Sequence, residues 1–158
     1  MTRSLSPALT TAVVAACQLA LVGVAVAPQL SARLAGESYV VRVAPLDPID
    51  PFRGAYVALD YPDLRLDAPD RGESGEVYLT LVEDDGVWVG DRWSRTRPDR
   101  GPYLACEDRS WQVRCGIESW FLPQDRAQEM EDRLRDGALA ELRIDSRGNA
   151  AVVDVRAP

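Results

Sequence analysis

The feature that most constrains this chain is an uncharged apolar segment near its start. No charged side chain lies between Arg3 and Arg33, and the densest part, ALTTAVVAACQLALVGVAVA, is the twenty residues from Ala8 to Ala27. As an α-helix, such a segment would be roughly 30 Å long, which matches the hydrocarbon core of a bilayer. The sequence therefore predicts a transmembrane helix at 8–27, after a short cytoplasmic tail at 1–7 and before a connector at 28–36.

A cleaved secretory signal is the alternative interpretation of this segment. Arg3 supplies a basic start, and the AVA of Ala25 to Ala27 fits a small-x-small cleavage site. Pro28 fits poorly as the first residue of a cleaved product, and the apolar run exceeds the usual signal core of about 7–15 residues. We therefore expect an uncleaved single-pass anchor in the cell membrane. Under both interpretations, residues 37–158 lie outside the cytoplasm.

Charge and composition exclude several kinds of chemistry. Residues 37–158 carry all 25 acidic residues and 16 of the 18 arginines, which gives 16 − 25 = −9. This acidity argues against binding nucleic acid or anionic lipid headgroups through a broad electrostatic face. The chain has neither histidine nor lysine, which excludes Ser-His and Ser-Lys nucleophiles, Schiff bases and histidine-ligated metals. We expect no cofactor and no metal.

Two of the three cysteines are expected to form a disulfide. Cys106 and Cys115 bracket a short predicted strand pair in YLACEDRSWQVRC. In an oxidising compartment, cysteines that face each other across such a pair form a disulfide. Zinc is disfavoured because two thiols without an imidazole are too few ligands. Cys17 lies in the apolar segment and is interpreted as a small apolar residue.

The remainder of the chain reads mainly as β-strand. EVYLTLV and VWVGDRW flank the turn EDDG and predict a hairpin whose Val77, Leu79 and Leu81 share one face. AELRID and AAVVDVR predict a final hairpin with Leu142, Ile144, Val153 and Val155 pointing inward. One late helix is predicted from about Asp125 to Gly137. The expected fold class is mainly β with one late helix (α+β), a small antiparallel sandwich or barrel-like domain after the transmembrane helix.

The stretch DPIDPFRGAYVALDYPD, Asp47 to Asp63, has the most unusual composition. Each Asp-Pro favours a turn, and Gly54 permits a conformation or a close approach that other residues resist. Arg53 can bridge Asp47 or Asp50 across this turn. The favoured interpretation is a rigid, salt-bridged turn that enters a core strand, with a recognition edge as the functional alternative.

Part of this stretch resembles a family signature. GAYVALDY, Gly54 to Tyr61, resembles the signature of the GDYXXLXY family of membrane-anchored bacterial proteins, and CGIESWFLPQ resembles that family's second segment. The resemblance covers nearly the whole chain and implies Gly54, Tyr56, Leu59 and Tyr61 as motif positions. Asp47, Asp50 and Arg53 upstream and Glu118 downstream also fit. The family has Asp where this chain has Ala55, and it implies an architecture rather than an activity.

Two classes of function follow. The first is a membrane-tethered interaction module that docks onto another membrane or envelope protein through the Asp47–Tyr61 edge, with exposed tryptophans as anchors. The alternative is an envelope hydrolase that uses carboxylates such as Asp47, Asp50, Asp60 and Glu118. Calcium binding by EDDG is disfavoured because the regular ligand spacing of a loop site is absent. The sequence favours the interaction module.

Overall fold

In a computed structural model, the chain is described at residues 6–45, 56–64, 74–109, 112–121 and 137–156. Within these ranges, one long helix is followed by nine strands. The helix α1 is Pro7–Ala35, a short 3₁₀ turn is Pro62–Leu64, and the strands are β1 (Glu37–Pro45), β2 (Tyr56–Asp60), β3 (Gly75–Asp84), β4 (Val87–Ser94), β5 (Tyr103–Asp108), β6 (Val113–Arg114), β7 (Ser119–Phe121), β8 (Ala138–Ile144) and β9 (Ala150–Arg156).

The strands form two antiparallel sheets. One has five strands in the order β7-β2-β1-β8-β9, and the other has four in the order β4-β3-β5-β6. Their facing sides share one core, whose largest fully buried side chains include Val41 and Leu142 from the first sheet and Leu79 and Leu104 from the second. The predicted fold class, an apolar helix followed by a mainly β antiparallel domain, is confirmed. The predicted late helix lies outside the described residues.

Both predicted hairpins are present. β3 and β4 pair around a tight turn at Asp85 and Gly86, and the predicted inward residues Val77, Leu79 and Leu81 are all buried. β8 and β9 also pair, and Leu142, Ile144 and Val155 are buried as expected.

The prediction for Val153 is wrong. This side chain is only partly buried, whereas its neighbour Val152 is in the core. The register of β8 and β9 shifts between Glu141, which faces Asp154, and Leu142, which faces Val152. Val153 is therefore the extra residue of a β-bulge, which reverses the alternation of inward and outward side chains at that point.

The helix is longer than the apolar run predicts. Residues 28–36 were expected to be a connector, but α1 continues through Pro28 to Ala35 and Gly36 joins it directly to β1. Proline lacks the N–H that would bond to the preceding turn. Gln29 and Arg33, which follow Pro28, donate to backbone carbonyls of β9, and these contacts stabilise the additional two turns.

Candidate functional site

The two signature segments lie side by side in the first sheet. β2 carries the first segment and pairs with β7 of the second segment, with Val57 opposite Trp120. The amide of Leu59 donates to the carbonyl of Glu118 at 2.9 Å. On its other side, β2 pairs with the end of β1. The family positions that the sequence separates are thus neighbours in the fold.

Leu59 and Tyr61 serve the core. Leu59 is 3% exposed and Tyr61 is 7% exposed, so neither side chain is available to a partner. The Tyr61 hydroxyl donates to the carbonyl of Ile117 at 2.7 Å. Burial, with a smaller contribution from the charge of Glu118, raises the pKa of Tyr61 far above its usual value. These two residues fit the structural interpretation of the motif, a core strand tied to the second segment.

Glu118 holds the turn that precedes β7. Its carboxylate accepts hydrogen bonds from the backbone amides of Cys115 and, at 3.1 Å, of Gly116. Gly116 has φ of +79°, a conformation that favours glycine. The predicted disulfide between Cys106 and Cys115 is present, with 4.1 Å between their Cα atoms. The disulfide and Glu118 therefore fix the same turn, one covalently and one electrostatically.

The other motif residues are described only in part. Tyr56 begins β2 and lies opposite Phe121 of β7. Asp47, Asp50, Arg53, Gly54 and Ala55 lie outside the described residues, so the bridge from Arg53 to an upstream aspartate stays a prediction.

The three tryptophans that the structure describes do not form the exposed face that the interaction hypothesis would use for its anchors. Trp88, Trp93 and Trp120 are partly buried and pack against the core. Trp88 also stacks edge-to-face on Tyr39, with 5.0 Å between the ring centroids. Trp111 lies outside the described residues. Trp120 also lines a cleft.

The end of α1 is bonded to the β domain at several points. The Gln29 side chain donates to the carbonyls of Gly116 and Ala150, both at 3.2 Å, and Arg33 donates to the carbonyl of Val152 at 3.2 Å. From the opposite direction, Arg143 donates to the carbonyl of Gly36 at 2.6 Å. The helix and the domain therefore form one rigid unit at this end.

A cleft of about 550 Å³ opens beside this contact, and we call it the junction cleft. It lies between the last turns of α1, the turn held by Glu118, and the strands β7 and β9. Its lining includes Gln29, Arg33, Glu118, Ser119, Trp120 and Val152. Sequence reasoning missed Gln29 and Arg33. The available signal was their i,i+4 spacing just beyond the apolar run, which places both on one helix face.

The lining of the junction cleft suits binding better than catalysis. Glu118 is the one carboxylate among these lining residues, and two backbone amides hold it. Within the described ranges, no group of three or more Cys, Asp and Glu residues is placed to hold a metal ion. A polar cleft with one aromatic side chain and both charge signs can hold a peptide by hydrogen bonds and one apolar contact.

Two observations bear on the cellular compartment of the protein. The helix α1 is long and apolar enough to cross a membrane, and its most apolar 18 residues, with a mean hydropathy of 2.1, are not buried by the domain. Such a helix near the amino terminus is compatible with a membrane anchor or a signal sequence. The Cys106–Cys115 disulfide indicates an oxidising compartment.

The fold and the site define a class of protein: a small antiparallel β domain fused rigidly to an apolar helix, with a polar cleft at the junction. Within that class, the chain belongs to the GDYXXLXY family. The family model, described as GDYXXLXY protein, matches residues 18–155, which include most of α1 and nearly all of the domain. Comparison with curated proteins and with solved structures gave no match.

Proposed function

We propose that this protein is a single-pass, membrane-anchored binding module whose β domain lies outside the cytoplasm. In this proposal, α1 is retained as the anchor, and the domain docks onto another membrane or envelope protein. The observation that carries the proposal is the junction itself. The apolar part of α1 is exposed, while the next two turns are hydrogen-bonded to the domain. A rigid junction of this kind holds a binding surface at a fixed height above the bilayer.

The proposed occupant of the junction cleft is an extended peptide segment of the partner. The two ends of the five-stranded sheet differ in a way that supports this choice. The outer edge of β9 is covered because α1 donates to its carbonyls at Ala150 and Val152. In the part of the chain that the structure describes, β7 pairs only with β2, so its other edge can accept an added strand.

The cleft lining adds contacts for such a strand. Trp120 is a half-buried aromatic side chain of the kind that dominates binding energy at interfaces. Arg33 and Glu118 place opposite charges in the cleft lining, which would orient a peptide of complementary charge pattern. No observation favours the hydrolase alternative, because this cleft contributes only the backbone-held carboxylate of Glu118.

Site-specific photo-crosslinking in native membranes tests this proposal. A photoreactive amino acid replaces Ser119, an exposed residue of β7 in the junction cleft. The matched control places it at Arg92, an exposed residue of β4 at the edge of the other sheet. We expect a light-dependent adduct at Ser119 and none at Arg92, with the crosslinked peptide mapping to an extracytoplasmic segment of one membrane or envelope protein.

A second measurement then separates specific docking from proximity. The crosslinked segment, made as a synthetic peptide, should bind the purified full-length chain, and Trp120→Ala should weaken this binding about tenfold or more. Equal adducts at Ser119 and Arg92, or a peptide that binds Trp120→Ala as well as wild type, would contradict docking in the junction cleft.

A further inference from the structure

A second cavity lies where the apolar part of α1 first meets the domain. It has a volume of about 370 Å³ and is distinct from the junction cleft. Its helical wall is apolar and consists of Val24, Ala27 and Pro28. Its domain wall contains the charged side chains of Glu76, Arg97 and Arg147. We call this cavity the headgroup pocket.

The charge of the headgroup pocket is opposite to that of the domain. Two arginines and one glutamate line it, which gives 2 − 1 = +1, whereas residues 37–158 carry −9 (16 arginines against 25 acidic residues). The pocket therefore brings two arginines together on an acidic surface, with Asp145 beside Arg147. The acidic composition of the domain argues against a broad basic face, but it does not argue against a local pocket of this kind.

The two arginines are positioned differently. The Arg97 Nε donates to the hydroxyl of Tyr103 at 2.6 Å, and its Nη2 donates to the carbonyl of Ser146 at 2.8 Å. These bonds fix the guanidinium in the lining of the pocket. The Arg147 side chain is 64% exposed, and its Nε lies 3.8 Å from a carboxylate oxygen of Asp145. Its Nη2 donates to the hydroxyl of Ser31 at 3.2 Å, and this exposed guanidinium has further N–H groups that can donate to a ligand.

The nearby carboxylates are already engaged by other donors. Burial acts to raise the pKa of Asp145, but hydrogen bonds from Ser31, from Asn149 and from two backbone amides outweigh it and hold this pKa below its ordinary value. Asp145 is thus a stable anion satisfied within the fold. Glu76 accepts a hydrogen bond from the hydroxyl of Tyr78. Both arginines therefore face the pocket beside carboxylates that have other hydrogen-bond donors.

The position of the helical wall indicates what enters this pocket. From Pro7 to Val24 the helix rises about 26 Å, and by Pro28 about 32 Å, so the pocket lies at the boundary between a 30 Å hydrocarbon core and the headgroup layer. Tyr78, which also lines the pocket, stacks edge-to-face on Tyr103 with 5.7 Å between the ring centroids, and both rings are buried in the domain.

We propose that the headgroup pocket binds an anionic phospholipid of the membrane, with its phosphodiester held by Arg97 and Arg147. The part of the lipid's acyl chain nearest the headgroup lies against Val24, Ala27 and Pro28. This inference rests on the membrane anchoring proposed above. A phosphodiester is an anion, and guanidinium groups donate charge-assisted hydrogen bonds to its oxygens.

Native mass spectrometry of the full-length protein tests this inference. The protein is released from detergent micelles doped with phosphatidylglycerol, with phosphatidylcholine or with inorganic phosphate. We expect bound phosphatidylglycerol at the wild-type protein. We expect about tenfold weaker binding for Arg97→Gln/Arg147→Gln, which corresponds to about 1.4 kcal/mol. The charge-matched control, Arg92→Gln/Arg114→Gln, changes exposed arginines elsewhere and should bind like wild type.

Three results would overturn the inference. They are equal binding of phosphatidylcholine, binding of inorganic phosphate at the same concentration, and undiminished phosphatidylglycerol binding by the double variant. Arg97→Gln also removes the bonds to Tyr103 and Ser146, so the melting temperature of each variant in lipid-free detergent checks the fold. Should the double variant unfold, Arg147→Gln alone must still weaken lipid binding.

The results that would refute lipid binding differ from those that would refute the proposed function. A chain that is retained in the membrane and crosslinks at Ser119, yet shows no lipid preference, would refute only the headgroup pocket. A chain found cleaved near Ala27 would remove the premise of both proposals, and this is visible in the intact mass of the same sample.

Discussion

At the scale of single residues, the signature is explained by packing and hydrogen bonding. Leu59 fills the core, and Tyr61 reaches across to the carbonyl of Ile117. In the second segment, the carboxylate of Glu118 accepts hydrogen bonds from two backbone amides. Each side chain therefore secures the contact between β2 and the turn before β7. This contact shapes one wall of the junction cleft, so these residues act on function through position.

The residue-scale prediction concerns the hydroxyl of Tyr61. Tyr61→Phe leaves the buried carbonyl of Ile117 without this donor, and we expect a loss of about 1–3 kcal/mol in the free energy of unfolding. Tyr39→Phe is the control, because the Tyr39 hydroxyl donates to the exposed Glu37, and it should change stability by less than about 0.5 kcal/mol. Denaturant unfolding of the full-length protein in detergent, followed by tryptophan fluorescence, measures both. Equal stability of the two variants would contradict a structural role for the hydroxyl.

At the scale of elements, the decisive feature is the close contact of α1 with β8. Gly36 ends the helix with an extended backbone, φ −75° and ψ 155°, so its conformation does not require glycine. The space around it does. A Cβ at this position would lie 2.4 Å from the carbonyl oxygen of Ala32 and 2.8 Å from the backbone nitrogen of Ile144. Both are backbone atoms, which cannot rotate away as a side chain can.

Gly36→Ala is therefore expected to separate α1 from the domain. The added methyl group must displace either the helix or β8, at a cost of about 1–3 kcal/mol. Gly23→Ala is the control, because its Cβ would meet nothing within 4 Å in the middle of α1, and alanine favours the helix. Limited proteolysis near residue 36 in detergent should cleave Gly36→Ala faster than wild type and Gly23→Ala. Equal cleavage rates in all three would show that the tight contact is not needed.

At the scale of the whole molecule, two sheets, one disulfide and the end of the helix act together. The disulfide and Glu118 fix the turn at Cys115 and Gly116, and Gln29 then links that turn to β9. The two ends of the five-stranded sheet are bridged by the helix rather than by pairing with each other. The helix does not fully cover the end of the sheet at β7, and the junction cleft is the space that remains there.

The corresponding prediction is that the chain keeps its amino-terminal segment. The helix runs without interruption through the small residues Ala25 to Ala27, and Gln29 and Arg33 bind it to the domain. We expect the intact mass of the protein from native membranes to include α1, and the protein to resist extraction with alkaline carbonate. Ala25→Leu/Ala27→Leu, which removes the small-x-small pattern, should leave the amino terminus of the mature chain unchanged, so that the mass rises only by the two substitutions. A mature protein that starts at Pro28, and becomes longer in this variant, would contradict retention.

The sequence by itself determined the features with local signals. The apolar run, the β3–β4 and β8–β9 hairpins and the Cys106–Cys115 disulfide were predictable because periodicity, turn residues and cysteine spacing depend on neighbouring residues. Tertiary structure decided the features that depend on distant partners. Contacts with β9 continue α1 past Pro28, pairing with β8 places a bulge at Val153, and the Tyr61 hydroxyl finds its acceptor at Ile117, 56 residues along the chain. The junction cleft belongs to this second group, because its walls come from α1, β7 and β9 and meet only in the folded chain.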